Sequence, residues 1–242
     1  MDVKSYAEFL ERFCREEVVR LTSNQGPVSV ESGLRQEEFM RIYNETDAHK
    51  RSMLFMKDQG ELLLQYDCSV FHEQVRIFWF IQLCKALTKV GLQFEGRERL
   101  VQIGPGSLVE LNDRLQQVDF IVLERSSQEP TFQNARVAIV GQVVYANECI
   151  DKVVNDLDAV TSAANGGAKL GIVIFVRPTV EEPLVVWIKE RGLETQRVEV
   201  SDGAVRLDWF KLFDEPEIRS QIIPPGISEI SMAAAADFIR GI

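Results

Sequence analysis

The chain has 242 residues and a formal charge of −10 at neutral pH, with 27 lysine and arginine residues against 37 aspartate and glutamate residues. This acidic balance excludes a generally basic coat for nucleic acid. Hydrophobic residues make up 45% of the chain and charged residues 26%, which excludes disorder of the whole chain.

The cysteines, at positions 14, 68, 84 and 149, form no C-x-x-C pair. We interpret them as reduced thiols rather than as a zinc knuckle or a disulfide framework. The longest strongly apolar stretch, residues 77–87, is about half of what spans a bilayer, and the first residues lack the apolar segment of a secretory leader. We therefore expect an intracellular, cytoplasmic protein that does not contact membranes.

Residues 1–66 are predicted to form an N-terminal helical extension. Aromatic and aliphatic residues at helical spacing predict an amphipathic helix over residues 3–21. The segment Gln36–Met56 predicts a second helix followed by a short strand or turn. The short apolar run Glu61–Tyr66 is compatible with a strand or with the start of a helix.

A long core helix is predicted from Ser69 to Gly91. Serine is a favourable N-cap residue, and glycine is a favourable residue at a helix end. Apolar side chains cover nearly the whole girth of the middle of this helix, so more than one side of it should be buried. His72, in the first turn, is interpreted as a surface residue or a helix-end partner rather than as a ligand. With His49 as the second histidine of the chain, a zinc site or a Ser-His-Asp triad has little support.

Beyond the core helix the apolar spacing changes from about 3.6 residues to about 2, which predicts strands. Short strands are expected at residues 92–94 and 100–103, before a break at Gly104-Pro105-Gly106. Two longer strands are predicted at Val118–Leu123 and Arg136–Tyr145, joined by a polar hairpin connection or loop.

A crossover helix is predicted to start near Asn147 and to lead to the strand Gly171–Val176. The continuous apolar pattern of that strand is typical of a central strand covered on both faces. The order of helix, strands, helix and strand predicts a mixed α/β fold, in which helices flank the sheet and residues 67–180 form the core.

Residues 181–242 are expected to form a C-terminal extension packed on this core. The sequence predicts a helix over Pro183–Gly192, a hairpin that turns at Ser201-Asp202-Gly203, and a final helix over Ser228–Ile239.

Asp119 and Gln142 lie on the two longer predicted strands and would stand at a shared edge of the sheet if the hairpin register allows. Carboxylate and amide oxygens suit Mg²⁺, which activates a bound water and neutralises charge on a phosphodiester. Two structural interpretations stay open beside this one. Asp119 could pair with an arginine such as Arg136, and Gln142 could simply face solvent.

The run beginning at Val118-Asp119, the segment Arg136–Asn147, the helix after it and the strand at Gly171 together resemble the core of the PD-(D/E)xK nuclease superfamily. The similarity is to type II restriction endonucleases in which Gln replaces the final Lys, with an Asn a few residues on. In that family the Asp and the Glu bind the metal, and the third polar residue helps to place the attacking water. Over residues 69–176 the resemblance implies a restriction-endonuclease-like fold and an endonuclease that uses Mg²⁺ or Mn²⁺. Asp119 matches the Asp of the family, Gln142 the Gln, and Asn147 the Asn.

The match departs from the family at the second carboxylate, because Val140 stands at that position. Valine removes one negative charge and one oxygen donor from a site that needs both. Glu73 and Glu148 are the candidates for a replacement acid, although both lie in first helical turns, where the helix dipole alone also favours an acid. Two weaker candidates lie near strand ends: Asp113 and Glu124. We place the metal ion on Asp119 and Glu73.

Two functions stay open. One is a metal-dependent endonuclease, a phosphodiester hydrolase with Asp119, Gln142 and either Glu73 or Glu148 as catalytic residues. The other is a catalytically inactive nuclease-fold subunit that serves as a structural or recognition component of a multiprotein assembly. The net charge gives no support to nucleic-acid binding, and a protein partner or a homo-oligomer is compatible with the sequence. A local basic group surrounds the core helix: Arg76, Lys85, Lys89, Arg97 and Arg99. A weaker third interpretation is an unrelated α/β protein that shares the order of elements.

Overall fold

The computed structural model describes residues 28–45, 53–64, 70–94, 100–110, 114–126, 135–145, 150–162, 164, 167–177 and 183–242. Several sequence-based predictions lie outside these residues: the helix over 3–21, the N-cap at Ser69, and the placements of His49, Arg97, Arg99, Asp113, Asn147 and Glu148. The chain forms two compact units, one of residues 1–68 with 108–118 and one of residues 69–107 with 119–242. The division into segments 1–66, 67–180 and 181–242 stays a prediction.

The first unit contains β1 (Val28–Glu31), α1 (Gln36–Glu45), β2 (Met53–Met56) and β3 (Glu61–Leu64). The strands are antiparallel in the order β1-β3-β2, and β2 also pairs with the start of β5 (Arg114–Glu124). The helix and short strand predicted within residues 36–56 are confirmed, and the undecided run after them is a strand.

The core of the first unit is aromatic. Phe39 and Ile42, one helical turn apart on α1, are buried, and the ring of Phe39 stacks on Phe55 with 4.8 Å between ring centroids. The turn between β2 and β3 ends at Gly60, which has a φ of 60° and whose added Cβ would lie 2.5 Å from the backbone oxygen of Leu34. Glycine is required there for both reasons.

The sheet of the second unit runs from the end of β5 through β6 (Arg136–Tyr145), β7 (Leu170–Val176), β8 (Leu184–Glu190) and β9 (Gln196–Glu199). β6 and β7 are parallel, and the other neighbouring pairs are antiparallel. The crossover between the parallel strands contains α3 (Ile150–Thr161). The predicted mixed α/β fold with helices flanking the sheet is therefore confirmed, and every residue of β7 is buried as expected of a central strand.

The long helix α2 (Val70–Lys89) belongs to the core, as its apolar girth predicted. Val75, Trp79 and Leu83 are completely buried, in one cluster with strand residues such as Phe120. From another side, Phe78 stacks on Phe238 of the C-terminal helix at 4.5 Å between ring centroids. A helix covered by a sheet and by a second helix has no need of a single apolar stripe.

Two sequence-based expectations after α2 are wrong. Residues 92–94 form no strand, and β4 (Val101–Glu110) runs through the predicted break at residues 104–106. β4 pairs with β5 outside the main strand order. Proline and glycine are tolerated on such an edge strand because the proline position does not have to donate to a second neighbour.

The C-terminal prediction is wrong in three places. The segment expected as the helix Pro183–Gly192 is β8, which pairs with β7 along its whole length, and its Val-Val-Trp-Ile run favours a strand by propensity. The predicted hairpin at 201–203 does not form, because β9 pairs with β8 while β10 (Ala204–Asp208) pairs with β11 (Ile227–Ser231). The final helix, α6 (Met232–Arg240), starts after β11, and its N-cap is Ser231.

Between β10 and β11 lie two short helices, α4 (Trp209–Leu212) and α5 (Pro216–Gln221). Glu124, at the end of β5, holds the segment between them, because its buried carboxylate accepts the backbone N–H groups of Asp214, at 2.7 Å, and of Glu215. Lys169 lies 2.7 Å from a carboxylate oxygen of Asp214. This contact is the main cause that lowers the pKa of Asp214. Glu124 thus anchors a backbone turn.

The lowered pKa predicts a specific pH dependence. The folded form of Asp214 releases its proton more readily than the unfolded form, so the contact stabilises the fold fully above the unfolded pKa of about 4 and is lost as the pH falls through the folded pKa. Lys169→Met should therefore flatten the fall in unfolding free energy below about pH 4. The effect should be small, because the Asp214 side chain is 57% exposed. Urea unfolding over a pH series measures it, and parallel curves for both proteins would contradict it.

A second prediction concerns Gly141 on β6. A Cβ built there would lie 1.7 Å from the ring of Phe120, which is fully buried on the neighbouring strand. Gly141→Ala should lower the unfolding free energy by about 3 kcal/mol or more, because neither group can move away. Adding Phe120→Leu should recover part of the loss. Gly192→Ala is the control, since nothing lies within 4 Å of its added Cβ and only its positive φ is strained. A Gly141→Ala variant as stable as wild type would contradict the packing described.

Candidate functional site

The predicted site residues Asp119 and Gln142 lie on the neighbouring antiparallel strands β5 and β6. The register of β5 and β6 pairs Phe120 with Gly141. Asp119 and Gln142 are the next residues outward from this pair, at the point where the paired stretch of the two strands ends.

Asp119 is 7% exposed, and its polar contacts with the described residues all use one oxygen. Oδ2 accepts the backbone N–H of Val143 at 2.7 Å. The same Oδ2 lies 3.3 Å from Nε2 of His72, in the first turn of α2. A buried carboxylate is costly unless donors surround it, and these two donors supply that compensation.

His72 bridges the two strands. Its Nε2 lies 3.2 Å from the carbonyl oxygen of Val143 as well as 3.3 Å from Oδ2 of Asp119. Both neighbours are acceptors, so we assign the hydrogen to Nε2, which donates to them. The imidazole is 1% exposed, so helix, β5 and β6 meet at one buried polar contact.

The interpretation of His72 as a surface residue or helix-end partner is wrong. His72, Val75 and Trp79 follow one another at three- and four-residue steps, and all three are buried. That spacing, visible in the sequence, places His72 on the buried stripe of α2 and is the signal that could have identified it.

The residue at which the sequence resemblance would require a second carboxylate lies in the hydrophobic core. Val140 is 2% exposed and pairs with Ile121 across the two strands. Gln142 is half-buried and is the polar residue of β6 nearest in register to Asp119. An amide there supplies an oxygen donor but no negative charge.

Glu73 has a partner of its own. Its carboxylate forms a double contact with the guanidinium of Arg76 on the same helix, with 3.0 Å between Nε and Oε2 in one of the two bonds. The Arg76 side chain is 5% exposed and that of Glu73 is 33% exposed. Glu73 therefore balances a buried positive charge, which is a structural duty independent of any metal ion.

Other residues considered for the site also have structural partners. Glu124 anchors a turn, as described above. Arg136, predicted as an alternative partner of Asp119, instead pairs with Asp214 at 3.6 Å, and Asp119 contacts His72. Of the predicted basic group, Arg76 is neutralised by Glu73, whereas Lys85 and Lys89 are exposed.

Within the described ranges no three His, Cys, Asp or Glu side chains come together as a metal-binding group. In the same part of the chain no helix is long and apolar enough to cross a membrane.

Comparisons with known proteins place the fold. No family model matches the chain. A search of curated proteins also finds no match. Among solved structures, one similar protein comes from Anabaena variabilis and is described as a suspected nuclease belonging to DUF820. It has a TM-score of 0.54 and 11% sequence identity, over 85% of this chain and 99% of the other. The likeness shows that the two chains share a fold.

The hydrogen bonds of Asp119 predict its contribution to stability. Asp119→Ala leaves the buried backbone N–H of Val143 without its acceptor and removes the carboxylate beside the His72 imidazole, so we expect a loss of about 3 kcal/mol in unfolding free energy. Asp119→Asn keeps a carbonyl oxygen and should lose about half as much. Asp237→Ala, which removes an exposed ion pair with Arg240, is the control and should change little. Urea unfolding measures all three, and a harmless Asp119→Ala would contradict the geometry.

Proposed function

We propose that this chain is a nuclease-fold protein that does not hydrolyse phosphodiesters and that acts as a recognition or structural component through a protein partner. The observation that carries the proposal is the state of Asp119. Its Oδ2 accepts the Val143 N–H and lies 3.3 Å from Nε2 of His72, while Val140, at the place of the second acid, is part of the hydrophobic core. The nuclease-type fold of the chain supports the first half of the proposal.

The physical argument concerns charge. Mg²⁺ binds oxygen ligands at short distance and is held in phosphoryl-transfer sites by one or two carboxylates together with substrate phosphates. Among the described residues Asp119 is the carboxylate at this place, and the Val143 N–H and the His72 imidazole stand at its Oδ2. A hard cation at Oδ2 would have to displace those groups, and the side chain beside it at Gln142 is an amide without a second charge.

The charge distribution favours a protein over a nucleic acid as the partner. A protein that contacts several phosphates needs clustered lysine and arginine side chains, whose binding releases counterions. The chain carries ten more acidic than basic residues, 37 against 27, and Arg76 is engaged by Glu73. Binding to a second copy of this chain or to another protein does not require such a basic cluster.

A metal-dependent endonuclease is the second candidate, and one observation favours it. Oδ1 of Asp119 takes no hydrogen bond from the described residues, so it remains an oxygen for a ligand. Glu148 comes three residues after Tyr145, the end of β6. Three residues of extended chain span at most about 10 Å. In this alternative Asp119, with Glu148 or Glu73, holds Mg²⁺ or Mn²⁺, and Gln142 positions the attacking water.

A cleavage assay separates the two candidates. Wild type, Asp119→Asn and Glu148→Gln are incubated with Mg²⁺ or Mn²⁺ and with supercoiled DNA, single-stranded DNA or RNA. We expect all three proteins to give the same background cleavage, and we expect no rise in the melting temperature of wild type with either ion, because a bound ion would stabilise the folded state. Cleavage by wild type that Asp119→Asn abolishes would establish the endonuclease. Loss in Glu148→Gln as well would identify the second acid.

A further inference from the structure

We infer that the His72 imidazole occupies the place beside Oδ2 of Asp119 that a divalent cation would take, and that it weakens metal binding at Asp119. The inference rests on the proposed function and gives its physical cause. It concerns a residue that neither the composition of the chain nor the family motif points to.

The first step is the saturation of Oδ2. A carboxylate oxygen has two lone pairs in the carboxylate plane. Oδ2 of Asp119 accepts the Val143 N–H at 2.7 Å, and Nε2 of His72 lies 3.3 Å from the same oxygen, so both approaches to Oδ2 are occupied. A metal ion could then reach Oδ1 alone and could not take both oxygens of the carboxylate.

The second step is the confinement of the imidazole. His72 is 1% exposed and stands on the buried stripe of α2, with Val75 and Trp79 fully buried on the following turns. Its Nε2 is also held by the carbonyl oxygen of Val143 at 3.2 Å. Because rotation out of the site would break both contacts and would move the ring through packed side chains, His72 cannot step aside as a solvent-exposed side chain would.

The third step excludes His72 as a metal ligand together with Asp119. A separation of 3.3 Å between nitrogen and oxygen is also compatible with two ligands on one transition-metal ion. A ligating Nε2, however, would have no hydrogen and would direct its lone pair at the Val143 carbonyl, 3.2 Å away. No third side chain of the usual ligand types completes a group there among the residues that the structure describes. The donor role satisfies both contacts of Nε2, whereas the ligand role leaves one of them repulsive.

Removing the imidazole should therefore create metal affinity. Mn²⁺ binding is measured by electron paramagnetic resonance for wild type, His72→Ala and Val75→Ala. Val75→Ala is the matched control, since it opens space on the same buried stripe without touching the donors of Asp119. We expect His72→Ala to bind Mn²⁺ about tenfold or more tightly than wild type, which corresponds to one lost hydrogen bond to a charged acceptor. Val75→Ala should match wild type.

Two additional variants assign the gain to this site. Asp119→Ala added to His72→Ala should abolish it. Gln142→Glu should increase Mn²⁺ affinity more in the His72→Ala background than in wild type, because the second carboxylate helps only when Oδ2 is open. Equal Mn²⁺ affinity in wild type and His72→Ala would overturn the inference. Tight binding by wild type that His72→Ala abolishes would also overturn it, because His72 would then be a ligand.

A measurement on the unmodified protein guards against a His72→Ala variant that does not fold. The chain has two histidines, so one His49→Gln variant assigns the imidazole resonances. Long-range ¹H–¹⁵N correlation spectra should show Nε2 of His72 protonated, and a bare Nε2 would overturn the inference. The outcome is separable from the proposed function. Metal binding by wild type without cleavage refutes the role of His72 alone, whereas cleavage that depends on Asp119 refutes the proposed function.

Discussion

A buried carboxylate needs hydrogen-bond donors, and in this chain the donors for Asp119 come from two different elements. The backbone of β6 supplies the N–H of Val143, and α2 supplies the imidazole of His72. The contact therefore joins a helix to two strands at the place where the paired stretch of β5 and β6 ends. Apolar packing alone would let a helix slide or rotate over a sheet by small steps. A buried polar contact allows one arrangement, because any other leaves a charge without a partner.

The surrounding core explains why α2 can hold that contact. Its buried side chains pack against the sheet on one side, and Phe78 stacks on Phe238 of the C-terminal helix on another. The C-terminal helix is held in turn by the pairing of β10 with β11 and by the indole N–H of Trp209, which donates to Ser228 at 2.8 Å. Residues far along the chain thus fix the helix that carries His72. The site depends on the C-terminal segments although none of their side chains enters it.

The sequence predicted those parts of the fold that have a strong local pattern. The helix α2, the strands β6 and β7 and the crossover between them all carry an unambiguous apolar period, and each is confirmed. The sequence of β8 also fits a helix, because a run of five apolar residues followed by charges is compatible with either period, and only its pairing with β7 makes it a strand. β9 and β10 were mistaken for one hairpin because strand partners are chosen by tertiary contacts that no local pattern records.

The same division holds for the site. Asp119 was identifiable because a carboxylate inside an apolar strand is rare, and Gln142 because a hairpin places it close in register. His72 was not identified, since a histidine in a first helical turn is common and its partner lies 47 positions away, at 119 against 72. Glu73 is the converse case. Its position suggests a replacement acid, and in the structure its carboxylate contacts the buried guanidinium of Arg76, which no family motif would reveal.

The surroundings of Asp119 bear on the stability of the fold as well as on the proposed function. Two carboxylates held close together repel each other in the absence of a cation, so an unoccupied metal site destabilises the fold. With Val140 in the core and the His72 imidazole 3.3 Å from Oδ2 of Asp119, no carboxylate stands at position 140 to repel Asp119. Under the proposed role of His72, an acid at position 140 would introduce that repulsion while the imidazole still stood beside Oδ2. The apolar residue at position 140 and the imidazole beside Asp119 therefore favour the proposed non-hydrolytic function together.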